Sequence, residues 1–121
     1  MGWRTVIISN TAKLDYKMGY LCIRSNEDVK RIFIDEISVL IIENTNVSLT
    51  TYLLVELANK SVDIIFCDSK RCPNGVYRAL YGSYDVSRSV RSQIAWTKES
   101  KMLVWQNIVC SKIKGQSAVL N

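Results

Sequence analysis

Residues 37 to 68 read ISVLIIENTNVSLTTYLLVELANKSVDIIFCD, two almost uninterrupted apolar runs on either side of a segment with helical spacing. ISVLIIE is apolar at nearly every position, so it is predicted to be a central strand covered on both faces. In NVSLTTYLLVELANKS, Ser48 is placed to cap a helix, with Val47 and Tyr52 spaced for a hydrophobic staple around it. Leu49, Leu53 and Leu57 then share one face of about three turns. Asn59 tolerates a left-handed backbone and Lys60 complements the carbonyl end of the helix dipole, which together mark the stop. VDIIFCD follows as a second buried strand. Strand, helix and strand in about thirty residues make a small crossover unit whose strands can run parallel. The connection ENTNVSL contains no glycine, so a phosphate loop of the dinucleotide or P-loop kind is not supported.

The flanking sequence is richer in strand than in helix. RTVIIS (4 to 9) has the length and β-branching of a strand, and KLDYKMGYLCIR (13 to 24) reads as a hairpin folded about Met18-Gly19. VKRIFID (29 to 35) alternates, with Ile32 and Ile34 on one face. In DSKRCPNG, Pro73 fits the second position of a β-turn, Asn74 can take a positive φ and Gly75 follows. That turn is expected to lead into a strand at VYRALYG (76 to 82). At GSYD (82 to 85) alternation gives way to helical periodicity. Val90 and Ile94 share a face, and after Thr97 the residues Met102, Trp105, Ile108, Val109 and Ile113 recur as on a helix that buries one side. The fold class expected is α+β: a mostly β, sandwich-like domain over 1–83 with one packed helix, then a linker and helices over 84–121.

The chain has 121 residues, 48% of them apolar, enough for one ordinary core or for a small domain and the beginning of another. Its apolar stretches fall short of the roughly 20 residues that cross a bilayer, and the N-terminus lacks a signal layout, so a soluble cytoplasmic protein is expected. There is no histidine, which excludes an imidazole base within this chain. Cys67 and Cys72 have neither a second pair nor a histidine to complete a zinc set, and free buried thiols are the expectation for all four cysteines. Asp68 at the end of a strand is read as a turn cap before a catalytic carboxylate. The net charge of +5 is uneven: residues 1–83 hold ten Lys/Arg against nine Asp/Glu, and residues 84–121 hold six against two. A basic helical tail suits a polyanion such as DNA.

MGWRTVIISNTAKLDYKMGYLCIR, IFIDEISVLIIENTNVSLTTYLLVELANKSVDIIFCD, DSKRCPNGVYRALYG and SRSVRSQIAW, in that order, resemble the amino-terminal part of the CRISPR-associated integrase endonuclease. The opening Gly-Trp-Arg-Thr is most similar to the type II branch. The resemblance implies a β-rich domain that pairs two subunits, joined to a helical domain that holds Glu, His and acidic ligands of Mg²⁺ or Mn²⁺. It implies as partners a second copy, double-stranded DNA (prespacer and repeat) and a small partner subunit, with no membrane. With no histidine here, no metal ligand and no catalytic residue is assigned, and the chain is expected to be a fragment that is inactive alone. The DNA contacts expected are Lys13, Tyr16, Lys17 and Tyr20 on the hairpin, with a tyrosine stacked on a terminal base pair, and Arg88, Arg91, Lys98 and Lys101 on phosphates. Two other readings compete. One is a small enzyme using Asp35, Glu36, Glu43 and Asp68, and the other a stand-alone protein-interaction domain.

Overall fold

The computed structural model describes residues 2–82 and 85–120, and the chain divides into two compact units, Met1–Gly82 and Ser83–Asn121. The first contains β1 (Arg4–Ile8), β2 (Ala12–Lys17), β3 (Tyr20–Arg24), β4 (Val29–Phe33), β5 (Ile37–Ile42), β6 (Val47–Leu49), α1 (Thr51–Asn59), β7 (Asp63–Cys67) and β8 (Pro73–Tyr77). The second contains α2 (Val86–Ile94) and α3 (Lys98–Leu120). The architecture is α+β. Of the boundary read at GSYD, Ser83 and Tyr84 lie outside the described residues.

The crossover forms as its apolar runs require. β5 and β7 pair in parallel, Leu40 opposite Ile64 and Ile42 opposite Phe66, with α1 between them in the chain. β1 adds in parallel on the far side of β5 and β8 antiparallel to β7, giving the order β1-β5-β7-β8. The predicted hairpin is β2-β3, and β4 and β6 extend it to β4-β3-β2-β6. Its turn places Met18 at φ 51 and Gly19 at φ 85, a conformation that glycine adopts without a side-chain penalty. Both sheets and α1 supply one core: Val6, Ile8, Leu40, Ile42 and Ile64 from the first, Ala12, Leu14 and Leu21 from the second, and Leu53 and Leu57 from the helix.

Several local expectations are corrected. Ser48 lies within β6, and the helix cap is Thr50, whose hydroxyl accepts from Leu53 N at 3.2 Å; the short parallel pairing of β6 with β2 draws the chain into a strand first. Leu49 and Leu54 thereby take the staple positions expected of Val47 and Tyr52. The left-handed residue after α1 is Ser61 (φ 57), not Asn59. Strand β4 stops at Phe33, where Ile34–Glu36 makes a 3-10 turn that sinks Ile34 into the core. Pro73 opens β8 rather than occupying a turn, as the first residue of an edge strand permits. The turn lies earlier, at residues 68 to 71, where Arg71 N donates to Asp68 O at 3.0 Å and Arg71 takes φ 64 in place of Asn74; the strand expected at 76 to 82 ends at Tyr77. The apolar residues of α3 form no buried stripe, since none of its residues is buried and Met102, Leu103, Val104 and Trp105 face successive directions.

Candidate functional site

The two outward faces of the sheets differ in chemistry. On the first sheet Ile7 stands opposite Ile41, Ile41 opposite Ile65 and Ile65 opposite Val76, a continuous aliphatic row across all four strands. It lies on the side away from Val6, Leu40 and Ile64. The expectation that β5 is covered on both faces therefore holds within this chain for one of them. Ile7 is 54% and Val76 59% exposed, with Ile41 and Ile65 half-buried between them.

The outward face of the second sheet is basic. Paired residues project to the same side, so Lys13, Arg24 and Val29 form one row, Asp15, Cys22 and Arg31 the next, and Lys17, Tyr20 and Phe33 the last. Asp15 holds Arg24 at 3.2 Å. Cys22 is buried on this face rather than in the main core. The Tyr20 and Phe33 rings lie 5.5 Å apart at the turn end.

The hairpin residues named from the sequence are thus divided. Lys17 and Tyr20 are direct neighbours, whereas Lys13 is four residues along β2, about 13 Å away at the usual rise of a strand. Tyr16 points to the opposite side with Leu14 and Leu21, its ring edge-on to Tyr52 at 5.2 Å. Arg24, Arg31 and Phe33 were not singled out; alternation from Lys13 and Tyr20 would have found them once the pairing with β4 was known.

In the helical unit Arg88 lines an open groove of about 580 Å³ with Asp85, Ser89, Ser92, Gln93 and Trp96. Arg91 is on the neighbouring flank of α2. Lys98 and Lys101 are exposed on the first turn of α3, beside the Thr97 hydroxyl that accepts from Ser100 N at 3.2 Å.

Most acidic side chains of the sheet unit serve its architecture. Asp35 holds Lys60 at 2.8 Å, Glu36 holds Arg4 at 3.0 Å and Glu43 holds Arg71 at 3.0 Å. The Asp68 carboxylate accepts from Lys70 N and Cys72 N, as a turn cap does. The hydrogen bond from Lys60 to Asp35, with the charge of Asp35, raises the lysine's pKa. The hydrogen bond from Arg78 holds Asp63 below the usual carboxylate range, against a smaller opposing effect of desolvation. Among the described residues no three His, Cys, Asp or Glu side chains come together. They do not fit a divalent ion, and no chemical step is assigned to one here.

The first unit is thus a helix-bearing pair of sheets with one aliphatic and one basic outward face, and the second is a helical unit with its apolar residues exposed. The sequence pattern of the family described as CRISPR associated protein Cas1 matches residues 5–121, and the chain belongs to that family. It is 29% identical over 119 residues to the CRISPR-associated endonuclease Cas1 of Neisseria meningitidis serogroup C (strain 8013), which covers 98% of this chain and 39% of that relative. The chain thus spans about two fifths of the relative's length. Its fold is similar to the crystal structure of TtCas1, with a TM-score of 0.65 and 14% identity over 85% of this chain and 39% of that one. For TtCas1 solved as a DNA complex the TM-score is 0.60 and the identity 16%, over 78% of this chain and 32% of that one. No helix among the described residues is long and apolar enough to cross a membrane.

Proposed function

We propose that this chain pairs two copies of a CRISPR integrase subunit and helps to position DNA for spacer integration. The observation that carries this reading is the row Ile7, Ile41, Ile65 and Val76. A flat aliphatic row across a sheet is costly to leave in water, and two copies related by a two-fold axis can each cover the other's. The basic face with Lys13, Lys17 and Tyr20, and the cations Arg88, Arg91, Lys98 and Lys101, supply phosphate contacts and a ring for stacking in the same reading. Tyr16, packed on Tyr52, then steadies the hairpin from behind.

The family resemblance adds the rest as proposal: prespacer and repeat duplexes as the DNA, a small partner subunit of the adaptation complex, and residues 1–83 and 84–121 as the pairing domain and the first helices of the catalytic domain. The Mg²⁺ or Mn²⁺ site that assists attack of a 3′-hydroxyl on a phosphodiester belongs, in this reading, to the part of the family's length that the chain does not span. The 121-residue chain is accordingly inactive on labelled branched DNA with either ion, and turnover by pure material overturns that point.

Sedimentation tests the pairing. The chain is expected to be a dimer at tens of micromolar, and Ile7→Glu with Val76→Glu to be a monomer that still unfolds cooperatively, at a temperature that no longer depends on protein concentration. Monomer alone in the unsubstituted chain sinks the proposal. A stand-alone protein-interaction domain is the second reading, favoured by the same row; it requires that salt-titrated DNA binding be absent.

A further inference from the structure

The point at which Lys13 meets Arg24 is a second place where the sheet unit is locally incomplete. The two cations are directly opposite on β2 and β3, and Lys13 is also opposite Ser48 on β6. Like charges in such positions repel. Arg24 is compensated by Asp15 at 3.2 Å, but Lys13 has no carboxylate within ion-pairing distance among the described residues. Both line a recess of about 370 Å³ whose other walls include Thr11, Ser25, Asn46 and Ser48, and no acidic residue lines it. Lys13, Arg24 and Ser48 also line an adjoining concavity of about 360 Å³ on the Asp15 side.

The rim is held in place from within. Asn44 Nδ2 donates to Ser9 O at 3.2 Å, Asn46 N to Asn44 Oδ1 at 2.7 Å, and Asn46 Nδ2 to Thr11 Oγ1 at 3.4 Å. Because Thr11 Oγ1 accepts that bond, its own proton is available to a further acceptor. Ser25 Oγ is occupied by both the carbonyl and the amide of Asp28. Among the donors left to face a ligand, beside those of Asn26 and Thr45, are the Lys13 ammonium, the remaining guanidinium N–H groups of Arg24 and the hydroxyls of Thr11 and Ser48.

We infer that this recess binds a phosphate group, held by Lys13 and Arg24 and oriented by Thr11 and Ser48. Two cations and two hydroxyls without a carboxylate match a tetrahedral oxyanion with several acceptors. No aromatic side chain lines the recess, so it takes a phosphate and not a base. Lys13 alone was named from the sequence as a DNA contact; Arg24, Thr11 and Ser48 make it a site. The phosphate can come from a nucleic-acid backbone or from a free phosphate ester. The first source rests on the DNA-positioning reading, and the site itself does not.

Amide NMR of the intact chain separates the cases, with inorganic phosphate and a short DNA duplex as probes at ionic strength matched by chloride. Saturable phosphate-dependent shifts are expected at the amides of Thr11, Lys13, Asn46 and Ser48. They should weaken about tenfold in Lys13→Gln, the loss of one charge-assisted bond, and persist in Lys70→Gln, a lysine that does not line the recess. If duplex DNA shifts the same amides and phosphate competes, the source is the nucleic-acid backbone. Shifts with phosphate and none with duplex support the site and reject that source, leaving dimerisation untouched. Absence of saturable shifts with both probes, or shifts unchanged in Lys13→Gln, overturns the inference.

Discussion

Arg78 grips Asp63 by two parallel hydrogen bonds, Nε at 2.9 Å and a terminal guanidinium nitrogen at 2.8 Å, so that the residue after β8 is bound to the first residue of β7. The pair ties the edge strand at the end opposite its turn. Because the guanidinium lowers the folded-state pKa of Asp63, the folded chain binds this proton less readily than the unfolded chain. The stabilisation is complete above the unfolded carboxylate value and is lost as pH falls through the folded one. The melting temperature followed from neutral to acid pH should therefore decline less steeply in Arg78→Ala than in the unsubstituted chain. The difference is expected to be small, since the pair is open to solvent. Identical acid limbs would remove Asp63 as a contributor.

Helix α1 offers a direct comparison between two hydroxyls. Thr50→Ala removes the acceptor of Leu53 N and is expected to cost about 1 kcal/mol in urea unfolding. Ser48→Ala should leave stability nearly unchanged. The reverse ranking would restore the cap to Ser48.

Gly2 passes close to the backbone of β5. A Cβ there would overlap both the carbonyl carbon and the carbonyl oxygen of Ile37. Gly2→Ala is therefore expected to displace the chain and weaken the bond from Trp3 N to Glu36 O, 3.0 Å long. The cost should be about 1–3 kcal/mol, as for other overpacked sites, with faster hydrogen exchange at the Trp3 amide. An unchanged Trp3 exchange rate would contradict the contact.

Leu53 and Val76 separate core from surface. Leu53 is 0% exposed, and Leu53→Ala is expected to cost about 2–5 kcal/mol in denaturant titration. Val76→Ala should change monomer stability little while weakening self-association, which the dependence of sedimentation on concentration reads directly. Equal losses of stability would show that the aliphatic row is already covered within the chain.

Arg88 and Arg91 are tested by salt. In the DNA-positioning reading, each change to Ala lowers the slope of log affinity against log salt by about 1. A slope unchanged in the double variant removes α2 from the interface.

Much of the framework was legible because each element carries its own local signal. Ile37 to Ile42 and Ile64 to Phe66 are too apolar to lie at a surface on both sides, Met18-Gly19 marks the hairpin, and Leu53 and Leu57 point α1 at the core. The hairpin's functional geometry was less legible. Tyr16 and Tyr20 are equally tyrosines in the sequence, and only the register that places Tyr16 opposite Leu21 and Tyr20 opposite Lys17 sends one inward and one outward. Cap and turn residues were misplaced by two or three positions for a similar reason: β6 and β8 are strands only because neighbouring strands pair with them.

The order of strands and helices, the crossover between Ile37 and Cys67 and the absence of an imidazole follow from the sequence alone, because period, length and residue type are properties of a short stretch of chain. Which face of β5 is covered, and that Lys13 meets Arg24 while Ile7, Ile41, Ile65 and Val76 line up, was decided by tertiary structure. A strand apolar on both sides carries no mark of its inner face; burial is assigned only when β1, β5, β7 and β8 assemble into one sheet against α1 and the second sheet.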